Sequence, residues 1–245
     1  MLNETDNLTS NFNIIDSIKK KIKGCTDDQI IQLQEYVERL IEWNHKINLI
    51  SRKDEVNVWT RHILHSISLL FLFKLKPNSR AIDVGTGGGL PGLPLAIMEP
   101  SIEFVLVDSI RKKCMAVSDM VDRLKLKNVI VVTERVEELS KKNIYQHSFD
   151  YILARAVAPT DNLIGWSLPL LRSNDSKNIG NKPDSSEKKM IEPRSLVLWK
   201  GGNLENEIHD AQNKFHPKNI SIHPLTFGDL NSEPDSDKKL VIINI

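Results

Sequence analysis

Three features of the sequence predict an α/β chain built on a doubly wound, mostly parallel sheet. Short apolar runs alternate with helical stretches from Arg80 onward. The glycine-rich segment Asp83-Val84-Gly85-Thr86-Gly87-Gly88-Gly89 stands where the first run hands over to a helix. An aspartate, Asp108, ends the second run. An antiparallel hairpin is expected at the C-terminal edge of the sheet, and a helical subdomain is expected in front of it. At 245 residues there is room for one such domain with an appendage, and two full domains would be cramped.

Residues 1–25 are polar and lack sustained periodicity, so they are expected to form a flexible tail with a short helix around Ile14 to Ile22. Thr26-Asp27-Asp28-Gln29 reads as a capping box, in which the threonine hydroxyl and the glutamine side chain satisfy amides left without partners at a helix start. The apolar stripe Ile30, Leu33, Val37, Leu40 and Ile41 then marks a helix ending near Asn44. A second stripe, Val56, Trp59, Ile63, Ile67 and Leu70, predicts one more helix, closed by Pro77. Residues 26–76 thus read as an N-terminal helical subdomain and residues 77–245 as the sheet domain.

Within the sheet domain, strands are expected at Ala81–Val84, Glu103–Val107, Val129–Val132, Tyr151–Leu153 and Leu196–Trp199, with helices near Gly92–Met98, Lys112–Leu124 and Leu163–Leu171. The runs Ile220–His223 and Leu240–Ile243 are the candidate edge hairpin. The polar stretch at 173–193 cannot bury enough apolar surface to offset the entropy of ordering it, and is expected to be a flexible surface insertion.

Composition narrows the function classes. Hydrophobic residues make up 40% and charged residues 27%, ordinary for a chain that folds in water. The apolar cluster from Leu69 to Phe73 falls far short of the roughly 20 residues that span a bilayer. The N-terminus lacks the basic-then-apolar layout of a secretion signal, so a cytoplasmic location is expected. Cys25 and Cys114 are far apart, with no CxxC or Cys/His cluster, which points away from a disulfide framework and from zinc. A net charge of +1 excludes coating nucleic acid by bulk charge. The local runs Lys19 to Lys23, Arg111-Lys112-Lys113 and Arg123, Lys125, Lys127 could each touch phosphates or simply be solvated helix faces.

The glycine segment carries the chemistry. Backbone amides can approach a ligand closely only where no Cβ intervenes, and Gly85, Gly87 and Gly89 provide that clearance in a D-x-G-x-G-x-G spacing. The helix beginning near Pro91 would offer N-terminal amides to a carboxylate, such as that of a methionine moiety. Asp108, at the next strand end, can accept hydrogen bonds from ribose hydroxyls. Together they point to a nucleoside cofactor, S-adenosylmethionine first. The register Gly87-x-Gly89-x-x-Gly92 also matches a dinucleotide fingerprint. It starts late, and Pro91 and Pro94 shorten its helix, so nicotinamide binding is the minor alternative.

For methyl transfer, the acceptor should leave a mark. The segment Leu153 to Pro159 lacks the Asn/Asp-Pro-Pro-aromatic pattern of adenine amine chemistry, and neither cysteine lies in the late-strand region that pyrimidine-carbon chemistry needs. Guanine N7 has a free lone pair and loses no proton, which suits a site without an obvious base, so Glu137 and Glu138 have no proton to take. Arg155 and Lys200, each at a strand end, are positioning candidates. Arg61, His62 and His65 lie together on the second helix. Two histidines without a matching carboxylate make a poor metal site, so no metal is expected. The candidates for RNA contact are Arg61, His62, Arg111, Lys112 and Lys113. Trp43 and Trp59 are expected to pack helices, with base stacking as the alternative.

The segments DVGTGGGLPGLPLAI at 83–97, LVDSIRKK at 106–113, Arg135-Val136-Glu137-Glu138, ARAVAP at 154–159 and WKGG at 199–202, together with NHKINLI at 44–50 and RHILHS at 61–66, resemble the ribosomal small-subunit methyltransferase G family, also called glucose-inhibited division protein B. The resemblance runs from Glu38 to Ile245. It implies a Rossmann-like methyltransferase fold and transfer of a methyl group from S-adenosylmethionine to N7 of one guanine in 16S ribosomal RNA. The expected partner is that RNA or the 30S particle, with no membrane, and the chain is expected to be a monomer. It also implies that Gly85 and Leu90 line the cofactor, that Val136 and Glu137 lie beside its adenosine, and that Arg155 faces it. Two departures stand out: His65 occupies a place where the family commonly has aspartate, and 173–193 lengthens a usually short connection. Two alternatives remain open, a cofactor-binding RNA-associated protein without catalysis and a small-molecule methyltransferase. The basic, histidine-bearing helix at 56–70 is less apolar than the lid the latter usually carries.

Overall fold

The structure is a computed structural model that describes residues 4–173, 188–225 and 237–245, with side chains from residue 13 onward. In chain order its helices are α1 (Glu4–Lys21), α2 (Asp27–Asn44), α3 (His65–Leu72), α4 (Gly92–Met98), α5 (Arg111–Arg123), α6 (Val136–Leu139), α7 (Thr160–Ser167) and α8 (Glu205–Phe215). The strands are β1 (Phe73–Lys74), β2 (Arg80–Val84), β3 (Glu103–Asp108), β4 (Val129–Thr133), β5 (Tyr151–Arg155), β6 (Lys189–Met190), β7 (Ser195–Lys200), β8 (Asn219–Pro224) and β9 (Lys239–Asn244). A 3-10 turn (Arg52–Asn57) and a π-helical turn (Trp59–Leu64) lie between α2 and α3.

The main sheet runs β4-β3-β2-β5-β7-β9-β8, with the first five strands parallel and the last two antiparallel. This is the doubly wound sheet with an edge hairpin that the alternation predicts. The hairpin folds back so that β9, whose Leu240–Ile243 run is buried, lies inside against β7, while the more exposed β8 forms the edge.

Side chains alternate across a strand, and that alternation sorts the core into two layers. Ala81, Phe104, Leu106, Tyr151, Leu153, Val197 and Trp199 face a layer made with α1 to α5. Ile82, Val84, Val105, Val107, Ile152, Ala154, Leu196 and Leu198 face the opposite layer, made with α6 to α8. By the same parity Asp83 and Arg155 point toward the first layer and Lys200 toward the second.

Several elements differ from the sequence-based expectation. The short helix expected around Ile14 to Ile22 is part of a longer one, α1, which begins at Glu4 in the expected tail; Ile14, Ile18 and Ile22 recur every four residues and are buried in the first layer. The single helix expected over 56–70 is three pieces: a 3-10 turn in which Val56 is exposed, the π turn, and α3. The helix expected over Leu163–Leu171 is α7, which starts at Thr160 and ends at Ser167, ahead of Pro169. The short α6 and the amphipathic α8 went unplaced in the sequence. Of the expected insertion, 174–187 lies outside the described residues. The following Lys188–Met190 is held against the helices: Lys188 Nζ donates to the carbonyls of Leu70 (2.5 Å) and Lys21 (2.6 Å), and β6 pairs with β1.

The capping box at Thr26 forms as expected, and the Gln29 side chain does more besides. Its Nε2 donates to the carbonyls of Ile97 (3.0 Å) and Met98 (3.1 Å), which end α4. Gln32 donates to the Leu124 carbonyl behind α5, and Trp43 Nε1 to Asp119 (2.8 Å), so that indole is held by packing and an ion rather than left free to stack. Helix α2 is therefore bonded directly to the sheet layer. No helix among the described residues is long and apolar enough to cross a membrane.

Candidate functional site

Strand order reverses direction between β2 and β5, and in open α/β sheets a crevice forms there, outside the carboxyl ends of the strands. Four neighbouring strands bring the predicted residues to that edge. Val84 pairs with both Val107 and Ala154, so Gly85 and Arg155 leave adjacent strands side by side. Asp108 ends β3, opposite Thr133 at the end of β4, and Val136 opens α6 just beyond.

The loop after β2 is held at nearly every residue. Thr86 N donates to the Val107 carbonyl, and Gly89 N and Leu90 N both donate to the Thr86 carbonyl, each at 2.9 Å. Gly85, Gly87 and Gly89 all have positive φ (69°, 59° and 93°), a region that side chains disfavour. A Cβ on Gly85 would meet the Val157 side chain at 2.8 Å, whereas one on Gly87 would meet nothing closer than the Gly85 carbonyl oxygen at 3.9 Å. The cradle is therefore open over Gly87 and flanked by Val157, and an open glycine cradle of this kind fits the backbone approach a nucleoside cofactor needs.

Two expectations about this loop change. Asp108 braces the loop itself: its Oδ2 accepts from Gly87 N (3.0 Å) and its Oδ1 from Ile110 N (2.9 Å). Those bonds aim the carboxylate and leave it lone pairs for a further donor. The helix after Pro91 offers no free amide at its first residue, because Gly92 N donates to Asp83 Oδ2 (3.0 Å). Thr86 Oγ1 donates to the same oxygen at 2.6 Å. Asp83 Oδ1 is buried without a partner among the described residues, and burial pushes the Asp83 carboxyl up to about 7. The leading residue of the motif is thus a buried tie between strand, loop and helix. Its strand parity, opposite to that of Ile82 and Val84, was the signal for this.

Arg155 is half-buried and reaches the irregular helix. Its Nη1 donates to the His62 carbonyl (3.2 Å) and to Ser66 Oγ (3.1 Å), and its Nη2 donates to the Arg61 carbonyl (3.3 Å) and to His62 Nδ1 (2.5 Å). Trp199 Nε1 donates to the His65 carbonyl (2.6 Å). Side chains from β5 and β7 thus bond carbonyls of the π turn (Arg61 and His62) and of the first residue of α3 (His65). Because Nδ1 accepts from Arg155, the neutral His62 ring carries its proton on Nε2, which lies 3.5 Å from Asp54 Oδ2. Burial, with Arg155 beside it, holds His62 down to about 4 and His65 to about 2, and burial lowers Arg155 to about 10. His62, a candidate for RNA contact in the sequence, is instead buried as a partner of Arg155.

Lys200 also departs from expectation. It lies on the other face, where its Nζ bonds Glu207 Oε1 (2.5 Å) and the Ala158 carbonyl (2.8 Å), while Glu207 also accepts from Thr160 N and Oγ1. It braces the 156–159 loop from behind. Leu90 and Val136 are buried and Glu137 is half-buried at the same strand edge. Arg61, Arg111 and Lys112 are exposed and Lys113 is half-buried; Arg61 pairs with Asp54 at 2.9 Å. Among the described residues no group of three or more His, Cys, Asp or Glu is placed to hold a metal ion.

The chain matches the family model described as rRNA small subunit methyltransferase G over residues 29–179. It is 39% identical over 199 residues to a ribosomal RNA small subunit methyltransferase G from Pelodictyon phaeoclathratiforme, covering 79% of this chain and 77% of that one. It is 36% identical over 226 residues to the protein of the same name from Bacteroides fragilis, covering 92% and 98%. In architecture it is similar to a precorrin-6y C5,15-methyltransferase from Geobacter metallireducens (TM-score 0.52, 11% identity, 80% and 90% covered). A predicted O-methyltransferase from Agrobacterium tumefaciens is also similar (TM-score 0.51, 14% identity, 74% and 79% covered). At these identities the likeness is one of fold, and it bears out the methyltransferase variety of the doubly wound sheet.

Proposed function

The chain belongs to the rRNA small subunit methyltransferase G family, and from that premise we propose that it transfers the methyl group of S-adenosylmethionine to N7 of one guanine in 16S ribosomal RNA. The observation that carries the assignment of the site is the convergence, at the reversal point of the sheet, of an open glycine cradle with Asp108 on one side and Arg155 on the other. When bound, S-adenosylmethionine supplies an electrophilic methyl group on a sulfonium.

The protein's part is to bind, orient and exclude water. Gly85 and Gly87 allow backbone approach, Asp108 takes ribose hydroxyls with its remaining lone pairs, and Leu90, Val136 and Glu137 flank the adenosine. Arg155, held by the carbonyls of Arg61 and His62, positions the helical wall against the cradle. Guanine N7 has a lone pair and no proton, so attack leaves a cationic base and requires no general base. That agrees with the state of the nearby groups: Asp83 is buried and fully engaged at Oδ2, and His62 is committed to Arg155. Exposed Arg61, Arg111 and Lys112 flank the same edge and suit the RNA backbone.

The test is incubation with S-adenosylmethionine tritiated on its methyl group and 30S particles from a strain lacking the enzyme. Label is expected in 16S RNA at a single guanine, with binding that weakens steeply as salt rises. Label entering protein or a small metabolite instead would refute the assignment, and binding without turnover would favour a non-catalytic RNA-associated role.

A further inference from the structure

Three consecutive glycines, Gly87 to Gly89, form the most flexible backbone the chain could place in its cradle, so the loop keeps one shape only if something outside it holds it. Gly87 is tied by its N–H to Asp108, and Gly89 by its N–H to the Thr86 carbonyl. Gly88 is tied by its carbonyl, which accepts a hydrogen bond from the buried Tyr36 hydroxyl of α2 at 2.9 Å. That bond spans 52 residues of sequence and joins the helical region to the loop. Because a peptide is planar, holding the carbonyl sets the plane of the Gly88–Gly89 peptide and with it the course of the loop.

A second observation points the same way. Gly88 has no positive φ, so its backbone conformation does not call for glycine. What excludes a side chain is the helical region: a Cβ there would lie 2.9 Å from Leu40 Cδ1 of α2 and 3.3 Å from Leu49 Cβ. The middle glycine is set by the wall packed against it.

We propose that Tyr36 is a positioning residue for the cofactor loop, acting with Leu40 and Leu49 as an outer wall that fixes Gly88 and so sets the affinity for S-adenosylmethionine. The inference rests on the reading of this loop as the cofactor site. It gives the helical region a part in cofactor binding that is separate from any contact with RNA.

Isothermal titration of the purified full chain with S-adenosylmethionine tests it. Tyr36→Phe keeps the ring and removes only the hydroxyl, leaving a buried carbonyl without its partner. Its Kd is expected to rise about five- to tenfold, with kcat at saturating cofactor and the KM for RNA unchanged within about twofold. The control is Gln32→Leu, which deletes another bond from α2 to the sheet layer, that to the Leu124 carbonyl; it should lower Tm comparably and leave the cofactor Kd alone. Gly88→Ala should weaken binding as well, and adding Leu40→Ala to it should restore part of the affinity. Equal Kd for Tyr36→Phe and the unsubstituted chain overturns the inference, as does an equal loss in Gln32→Leu. Absence of binding to the unsubstituted chain overturns the reading of the site, and the inference with it.

Discussion

Arg155 and Lys200 end neighbouring strands and look equivalent in the sequence, yet they serve opposite faces of the sheet. Arg155 shares the parity of Tyr151 and Leu153 and enters the layer of α1 to α5, where it finds carbonyls of an irregular helix, a histidine ring and a serine. Lys200 shares the parity of Leu196 and Leu198 and meets Glu207 and the Ala158 carbonyl. On the first face a cation is spent joining the helical region to the cradle. On the second it closes an ion pair that steadies a loop. The difference shows that a charge at a strand end takes its role from the layer it enters, which the register decides.

The sharpest way to break this comparison is Arg155→Ala. Losing the guanidinium removes the hydrogen bonds to the carbonyls of Arg61 and His62, to the Ser66 hydroxyl and to the His62 ring, and should cost about 2 kcal/mol of stability and at least about tenfold in cofactor affinity. Thermal melting and titration of the same sample measure both; near-unchanged affinity would remove Arg155 from the site.

Asp83→Asn sharpens the account of the first face. A folded-state carboxyl raised to about 7 from its usual 3.8 contributes stability that is fully present below about 3.8 and is lost as pH rises through about 7. The variant cannot ionise, so its Tm relative to the unsubstituted chain should climb from pH 5 and level off above about pH 7. A difference that is flat with pH would mean that Asp83 titrates like a surface carboxyl.

The histidines of the same face predict the opposite slope. With His65 held to about 2 and His62 to about 4 against 6.5 unfolded, their stabilising contribution is present above pH 6.5 and lost as pH falls below it. His65→Leu should blunt the loss of Tm between pH 6.5 and 4; an unchanged acid slope would show that His65 is not the group involved.

The smallest effect is expected on the second face. Lys200→Ala breaks a partly solvated pair and should cost about 1 kcal/mol, with cofactor affinity changed less than in Arg155→Ala. A larger loss of binding in Lys200→Ala than in Arg155→Ala would invert the assignment of the two faces.

Local regularities made much of this architecture legible. The capping box at Thr26, the glycine spacing from Gly85 to Gly89 and the apolar runs of the parallel strands act over a few residues, so they can be read from the string and reappear in place. Regularity failed where distant groups compete with local bonding. The 56–70 stripe looked like one helix, but side chains from β5 and β7 take carbonyls from its turns. The N-terminal stretch reads as a tail with a short helix around Ile14 to Ile22, and the helix in fact runs from Glu4, whose polar first turns carry no periodic signal. Asp108 and the first amide of the helix after Pro91 read as facing a ligand, whereas their first partners are the loop and Asp83.

By itself, then, the sequence determined the doubly wound order, the position of the cradle and the family, because period, turn chemistry and motif spacing are properties of short segments. Only the tertiary structure decided that Tyr36 holds Gly88, that Asp83 is a buried tie, that His62 serves Arg155, and that Arg155 and Lys200 part company across the sheet. Each of these depends on which groups the packed layers bring together, for Tyr36 and His62 across dozens of residues, and on how much water their meeting excludes, and neither quantity exists until the layers have packed.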